Sequence, residues 1–393
     1  MDHQEVTRNR MKSPMIMFAG GGTGGHLYPG IALTEAWCEL YPESCPVFVG
    51  CGRKIEKEIL AGTPYSHEVV PIESPRNIIR HPLRFYRNWR KSKQLAREYI
   101  SRYQPHVIIG LGGFASYPVV REASRLKIPV LLIEQNVIPG RATSYLSRRA
   151  NCVCVTYDKS HQYFPKHRNI KTTGNPVRKE ILQIAQAAFD SHQVKPPISP
   201  KPVLLIQGGS QGSDRINQAV LHYLQENSES LKSWEVRHQT GGSSDAKIIS
   251  QLKTYYQQAG IKADVRPYYP SPTDLYDTVS HVICRAGGTT LAELHTLQLP
   301  AIIIPISNSI RNHQLANALE HAKHNISAVV NENTDSFQHN FDTELSNLLN
   351  KENPKSHKAS KLNKEQIAGK QATSKVIQEI QFLLNGAVSE LLY

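Results

Sequence analysis

Met15 to Leu33 reads MIMFAGGGTGGHLYPGIAL, and this stretch decides the fold class. Met15, Ile16, Met17 and Phe18 form an apolar run that is closed by Gly20, Gly21, Gly22, Thr23, Gly24 and Gly25. Such a run, followed by a helical pattern, reads as a buried strand, a tight loop and a helix. Glycines let the backbone approach a ligand, and the N–H groups that open the next helix suit a phosphate. His26 stands at the mouth of this loop. The same unit recurs later in the chain. Val203 to Ile206 run into Gly208, Gly209, Ser210, Gln211 and Gly212, ahead of a helical stretch from about Arg215, and His281 to Cys284 precede Gly287 and Gly288. Three such loops in two halves predict two α/β domains facing one cleft.

Size agrees with two domains: the chain has 393 residues, and single cores stop growing at roughly 250. No apolar run reaches the roughly 18 residues of a transmembrane helix, and the N-terminus, MDHQEVTRNRMK, lacks the apolar core of a signal peptide. A cytoplasmic location is the default expectation. The six cysteines have neither CxxC spacing nor the density of a secreted scaffold, and Cys152 and Cys154 alternate with valines as one face of a strand would. The formal net charge of +13 implies an acidic partner, whether nucleic acid, an anionic membrane surface or a phosphorylated substrate.

Outward from the first loop, Val47 to Val49 make a second strand, ending in Gly50, Cys51 and Gly52. Gly20, Gly22 and Gly25 match the dinucleotide fingerprint GxGxxG, which also requires an acid near the end of the second strand to hold a ribose. Arg53 follows the glycines there instead, which weakens a NAD or FAD reading. His106 to Leu111, Val130 to Glu134 and Asn151 to Thr156 are further strands; in the second half Val236 to Gln239, Ala263 to Arg266 and Ala301 to Pro305 join those already named. Strands alternating with helices form parallel sheets, whose ligands bind beyond the carboxyl ends of the strands. The polar clusters after Leu111 and Glu134 lie at such ends.

Arg76 to Lys93, RNIIRHPLRFYRNWRKSK, contains no acid. Its Ile78, Ile79, Arg80, Leu83, Arg84, Phe85, Arg87, Trp89 and Arg90 mix cations with apolar and aromatic side chains, with Pro82 placed to open a helix. This composition suits an anionic bilayer surface; the alternative is a solvated basic helix whose apolar residues face its own core. Nothing else in the chain resembles a nucleic-acid module. The expected organisation is a disordered tail over 1–12, a first domain over 13–174, a second over 175–370 and a terminal helix over 371–393 packing back on the first domain. Within it, 190–202 is a proline-rich connection and 351–370 a lysine-rich linker.

GGGTGGHLYPGIAL, GLGGFASYPV, EQNVIPGRA, GNPVR, GGSQGS, CRAGGTTLAE and NHQLANA follow one another over roughly Ser13 to Leu345. In this order they resemble the MurG family of bacterial glycosyltransferases. The resemblance implies the GT-B architecture, two Rossmann-like domains with parallel sheets and a cleft between them. It implies inverting transfer of GlcNAc from UDP-GlcNAc to the C4 hydroxyl of MurNAc-pentapeptide on undecaprenyl diphosphate (lipid I), with no cofactor and no metal in the chemical step. It further implies peripheral attachment at the cytoplasmic face of the plasma membrane and a cell-wall synthesis complex as partner.

Carried over residue by residue, the resemblance puts Ser210 and Gln211 at the diphosphate, Arg178 near the nucleotide, Tyr269 at the uracil and Glu293 on the ribose hydroxyls. Gly288, Thr289 and Thr290 would offer helix N-terminal amides to the UDP leaving group, and Gln314 would hold the sugar, with Thr23, Gly24, Gly25 and Asn136 from the first half. Thr290 to Glu293 also matches a capping box, so Glu293 alternatively closes a helix. His26 is the candidate general base, since histidine titrates near neutral pH, or alternatively a residue that orients its own loop. Glu134 is the rival base, or holds the loop at Asn136. Phe114 stands where many relatives have tyrosine, and Tyr268 to Pro272 replace a shorter stretch at the uracil. A glycolipid synthase with another lipid acceptor and a non-catalytic UDP-sugar-binding scaffold are the competing readings.

Overall fold

The computed structural model describes residues 13–74, 77–193, 201–209, 211–307, 309–350 and 367–391. The expected tail, Arg76, Ser210 and most of both linkers lie outside them. Two compact units result: one runs to Arg178 and regains the chain from Gly369, and the other spans Lys179–Ala368.

The first unit has a parallel sheet of β1 (Ile16–Gly20), β2 (Val47–Gly50), β3 (Ser66–Val69), β4 (Val107–Gly112), β5 (Val130–Glu134), β6 (Cys152–Val155) and β7 (Ile170–Thr172), in the order β3-β2-β1-β4-β5-β6-β7. Alternate residues of β1 enter opposite layers, as the two-residue period of a strand requires. Ile16 and Phe18 pack with Leu27, Ile31 and Trp37 of the helix Gly24–Leu40, whereas Met17 and Ala19 pack with Ala96, Tyr99 and Val119. A strand buried on both faces has no polar side, which is why it reads as an unbroken apolar run. The helix Ala368–Leu391 sets Val376, Ile377, Ile380 and Leu383 into this unit's core beside Cys152 and Cys154.

The second unit holds β8 (Val203–Gln207), β9 (Glu235–Gln239), β10 (Lys262–Arg266), β11 (Val279–Cys284), β12 (Ala301–Ile303) and β13 (Ser327–Val329), parallel and in the order β10-β9-β8-β11-β12-β13. Both sheets reverse their strand order at one point, between β1 and β4 in the first and between β8 and β11 in the second. Ligands of doubly wound sheets bind at that point, beyond the carboxyl ends. The three glycine loops that open the sequence reading follow β1, β8 and β11, strands at these two points. The strands that sequence reading missed, β3, β7 and β13, are edges with half-exposed residues (SHEV, IKT, SAV), so no apolar run announces them.

Candidate active site

In the first unit the loop after β1 opens the helix Gly24–Leu40, with Thr23 in extended conformation as its N-cap. The Thr23 hydroxyl does not cap the helix; it lies 3.0 Å from His26 Nδ1, which is also 3.1 Å from the Gly21 carbonyl oxygen. A carbonyl only accepts, so this contact requires a proton on Nδ1, which in the neutral ring leaves the lone pair on Nε2. The loop after β4 lies directly alongside. Gly112, at φ +95°, has no room for a side chain, because a Cβ there would lie 3.1 Å from His26 Cδ2, and one on Gly113 would lie 2.6 Å from the Gly21 oxygen. Gly24 and Gly25 are the first two residues of the helix. Further along it Tyr28 stacks under Arg178, whose guanidinium is 4.1 Å from the ring centroid.

Glu134 ends β5 and is buried. It accepts from the Asn136 backbone N–H at 3.1 Å, the Asn136 side-chain amide at 3.0 Å and the Gly140 N–H at 3.0 Å. Burial pushes its carboxyl up, against the pull of these hydrogen bonds. Glu134 thus shapes the loop that presents Asn136.

In the second unit the loop after β8 reaches Gln211, which is exposed and accepts from the Ser243 hydroxyl at 3.3 Å. Ser213 caps the helix Asp214–Asn227 by accepting from the Ile216 N–H. Arg285, just after β11, donates to Ser213 Oγ at 2.6 Å, to the Ile304 carbonyl at 3.0 Å and to Glu332 at 2.6 Å, while Glu332 also takes the Ser307 N–H at 2.7 Å. One partly buried ion pair therefore fixes the starts of three loops. Gln314, second in the helix His313–His324, accepts the Ile306 N–H at 3.0 Å through Oε1.

The helix Gly288–Leu297 has Gly287 as its N-cap, which makes Gly288, Thr289 and Thr290 its first turn. Thr290 is inside the helix, so the capping-box reading of Glu293 does not hold. Glu293 is instead buried and accepts from the Tyr276 hydroxyl at 3.0 Å, which in turn accepts from Gln207 Nε2 at 3.0 Å. Burial, and then the adjacent Glu293 charge, hold the Tyr276 phenol far above its usual range. The Tyr269 side chain faces inward: its hydroxyl donates to the Asp264 carbonyl at 2.8 Å and its N–H to Gln239 at 3.2 Å. Its ring is unavailable to a base, whereas its neighbour Tyr268 is exposed.

The basic segment folds as Asn77–Arg80 and Pro82–Tyr103, with Pro82 at the first helical position. Ile79 is 91% exposed and Leu83 87%, so neither faces the core. Ile78 and Tyr86 are exposed as well, along with Arg80, Arg87 and Arg90, while Phe85 is half-buried. The segment itself contains no acid, but one reaches it from upstream. Glu73, just upstream, pairs with Arg84 at 3.0 Å and accepts from Asn77 and Asn88, and Trp89 packs against Tyr117 at 4.9 Å, so Arg84 and Trp89 serve the fold. Arg53, Glu56, Gln207, Tyr276, Arg285 and Glu332 were not picked out from sequence. Arg285 alone carried a signal, its place inside CRAGGTTLAE.

Residues 16–155 match the glycosyltransferase family 28 N-terminal domain, and residues 203–377 match the corresponding C-terminal domain. A UDP-N-acetylglucosamine--N-acetylmuramyl-(pentapeptide) pyrophosphoryl-undecaprenol N-acetylglucosamine transferase of Thermodesulfovibrio yellowstonii is 33% identical over 308 residues, 77% of this chain and 81% of that one. One from Geotalea uraniireducens is 34% identical over the same length and shares. The crystal structure of Acinetobacter baumannii MurG superposes with a TM-score of 0.65 at 22% identity, covering 94% of this chain and 99% of the other, and shares its fold. With both domains matched and a third of its residues shared along most of two such relatives, this chain belongs to the family of these glycosyltransferase 28 N-acetylglucosamine transferases.

Proposed function

We propose that the protein transfers GlcNAc from UDP-GlcNAc to the C4 hydroxyl of MurNAc-pentapeptide on undecaprenyl diphosphate, the reaction for which its relatives are named. One observation carries this: the 33% identity runs through both units, over 81% of a relative with that activity. On this reading each step has a residue. The second unit binds the donor, with Glu293 accepting from the ribose hydroxyls and Gln314 on the sugar. The acceptor O4 attacks C1 of GlcNAc, the C1–O bond to UDP breaks with inversion, and the hydroxyl proton passes to His26 Nε2. Negative charge growing on UDP meets the amides that open Gly288–Leu297 and Asp214–Asn227, a stabilisation that needs no metal. Asn136, aimed by Glu134, and the Gly24 and Gly25 amides bind the acceptor side.

Membrane contact belongs to the same reading. An acceptor with a polyprenyl tail is reached from the bilayer surface, and exposed Ile79 and Leu83 beside Arg80, Arg87 and Arg90 form a small apolar and cationic surface suited to anionic headgroups. No helix among the described residues is long and apolar enough to cross a membrane, and a peripheral attachment at the cytoplasmic face fits this surface.

The test is purified protein with UDP-GlcNAc and a lipid I analogue, with and without EDTA, the product linkage being read by NMR. A β-linked disaccharide formed equally with EDTA is the expected result. Transfer only to a different lipid, or no transfer, overturns the acceptor assignment, and loss with EDTA overturns the metal-free step.

A further inference from the structure

The acid that the fingerprint requires at the end of β2 is absent there, yet a carboxylate does reach the glycine loop. Glu56, in the helix Lys54–Ala61, is fully buried. Its Oε1 accepts from the Gly22 N–H at 2.5 Å and the Cys51 thiol at 3.0 Å, and its Oε2 from the Gly52 N–H at 2.7 Å and the Arg53 N–H at 3.3 Å. The Arg53 guanidinium donates to the Gly22 carbonyl at 3.2 Å. A Cβ on Gly21 would stand 2.5 Å from Glu56 Oε1, so the loop closes over the carboxylate with no space left between them.

The Gly22 N–H and the Gly21 carbonyl belong to one peptide unit. That unit is planar and trans, so its two polar groups point opposite ways and keep a fixed relation. Glu56 holds the N–H end; the carbonyl end accepts from His26 Nδ1 at 3.1 Å. Hydrogen bonds in such a chain polarise one another, and a carboxylate on the N–H makes the carbonyl a stronger acceptor. We infer that Glu56 is a positioning residue for His26, acting through the Gly21–Gly22 peptide to keep the ring proton on Nδ1 and the lone pair on Nε2. The same contact excludes a diphosphate from the Gly22 N–H, since the internal carboxylate already occupies that donor. The inference rests on His26 as general base, and its test separates the two.

In the full-length protein, ¹⁵N spectra of the histidine side chains, with His26→Gln to assign the signal, report the tautomer without any turnover. The Nδ1–H form is expected in the unmodified protein and a mixture of tautomers in Glu56→Gln, whose amide places N–H against N–H. In the transfer assay Glu56→Gln is expected to lose about tenfold or more in kcat, with KM for UDP-GlcNAc within about twofold, and Arg53→Ala to follow in the same direction by less. An Nε2–H tautomer in the unmodified protein overturns the inference even where Glu56→Gln fails to fold. So does a folded Glu56→Gln with unaltered kcat and tautomer. Undiminished kcat in His26→Gln, with the Nδ1–H tautomer present, sinks the general base instead and leaves the positioning contact standing.

Discussion

The Tyr276 hydroxyl donates to Glu293 Oε2 at 3.0 Å while it accepts from Gln207 at 3.0 Å. This contact orients a buried carboxylate, the group proposed to accept from the ribose hydroxyls. Tyr276→Phe removes the hold and leaves Gln207 unpaired. KM for UDP-GlcNAc is expected to rise about fivefold or more, with kcat nearly unchanged and stability lower by about 1–3 kcal/mol. Discrimination against a 2′-deoxyribose donor should shrink in parallel, and steady-state kinetics with both donors checks this.

Arg285 and Glu332 form a partly buried pair that also holds Ser213, Ile304 and Ser307. Removing one partner of a partly buried, hydrogen-bonded charge pair costs about 1–3 kcal/mol. Glu332→Gln should therefore lower Tm and weaken UDP-GlcNAc binding together. Arg285→Lys should fail to restore either, because an ammonium cannot span the three acceptors of a planar guanidinium. Calorimetry and donor titration measure the two effects.

Ile79 and Leu83 are expected to lie against the bilayer. Each fully buried aliphatic side chain contributes about 1.5–3 kcal/mol, so Ile79→Ser with Leu83→Ser should cut binding to anionic vesicles by about tenfold or more. Turnover of a short-chain, water-soluble acceptor should stay unchanged. Flotation at two salt concentrations separates this apolar contribution from that of Arg80, Arg87 and Arg90.

His238 is buried between the Tyr256 hydroxyl, 3.1 Å from Nδ1, and Asn217 Oδ1, 3.0 Å from Nε2. Burial pushes its imidazole down to about 3. The unfolded chain, with an ordinary histidine near 6.5, then takes the proton first as pH falls. This group's contribution is intact above about pH 6.5 and is lost towards about pH 3, at up to about 1.4 kcal/mol per pH unit. Denaturant titrations across that window should show a shallower acid slope for His238→Gln than for the unmodified protein.

Much of this architecture was legible because β1, β4, β5, β8 and β11 are buried on both faces and all but β5 lead into glycines. Edge strands such as Ser66–Val69 lack that signature. The site was legible where residues lie in glycine loops, as His26, Thr23 and Gly288 do. It was hidden where helices carry polar side chains inward. Glu56 lies in KIEKEILA, whose charges read as a solvated face, and only its burial under Gly22 reveals its partner. Tyr268 and Tyr269 are indistinguishable in sequence, and the register of a short loop decides which ring is buried.

On this reading His26 takes the acceptor's proton and is not needed to bind the donor. Turnover of His26→Gln, measured at saturating UDP-GlcNAc with a soluble lipid I analogue beside the donor KM, tests it most directly. The expected result is a fall in kcat of about 10²- to 10⁴-fold with KM for UDP-GlcNAc within about twofold. A kcat within twofold of the unmodified protein, or a loss residing wholly in donor KM, would contradict it.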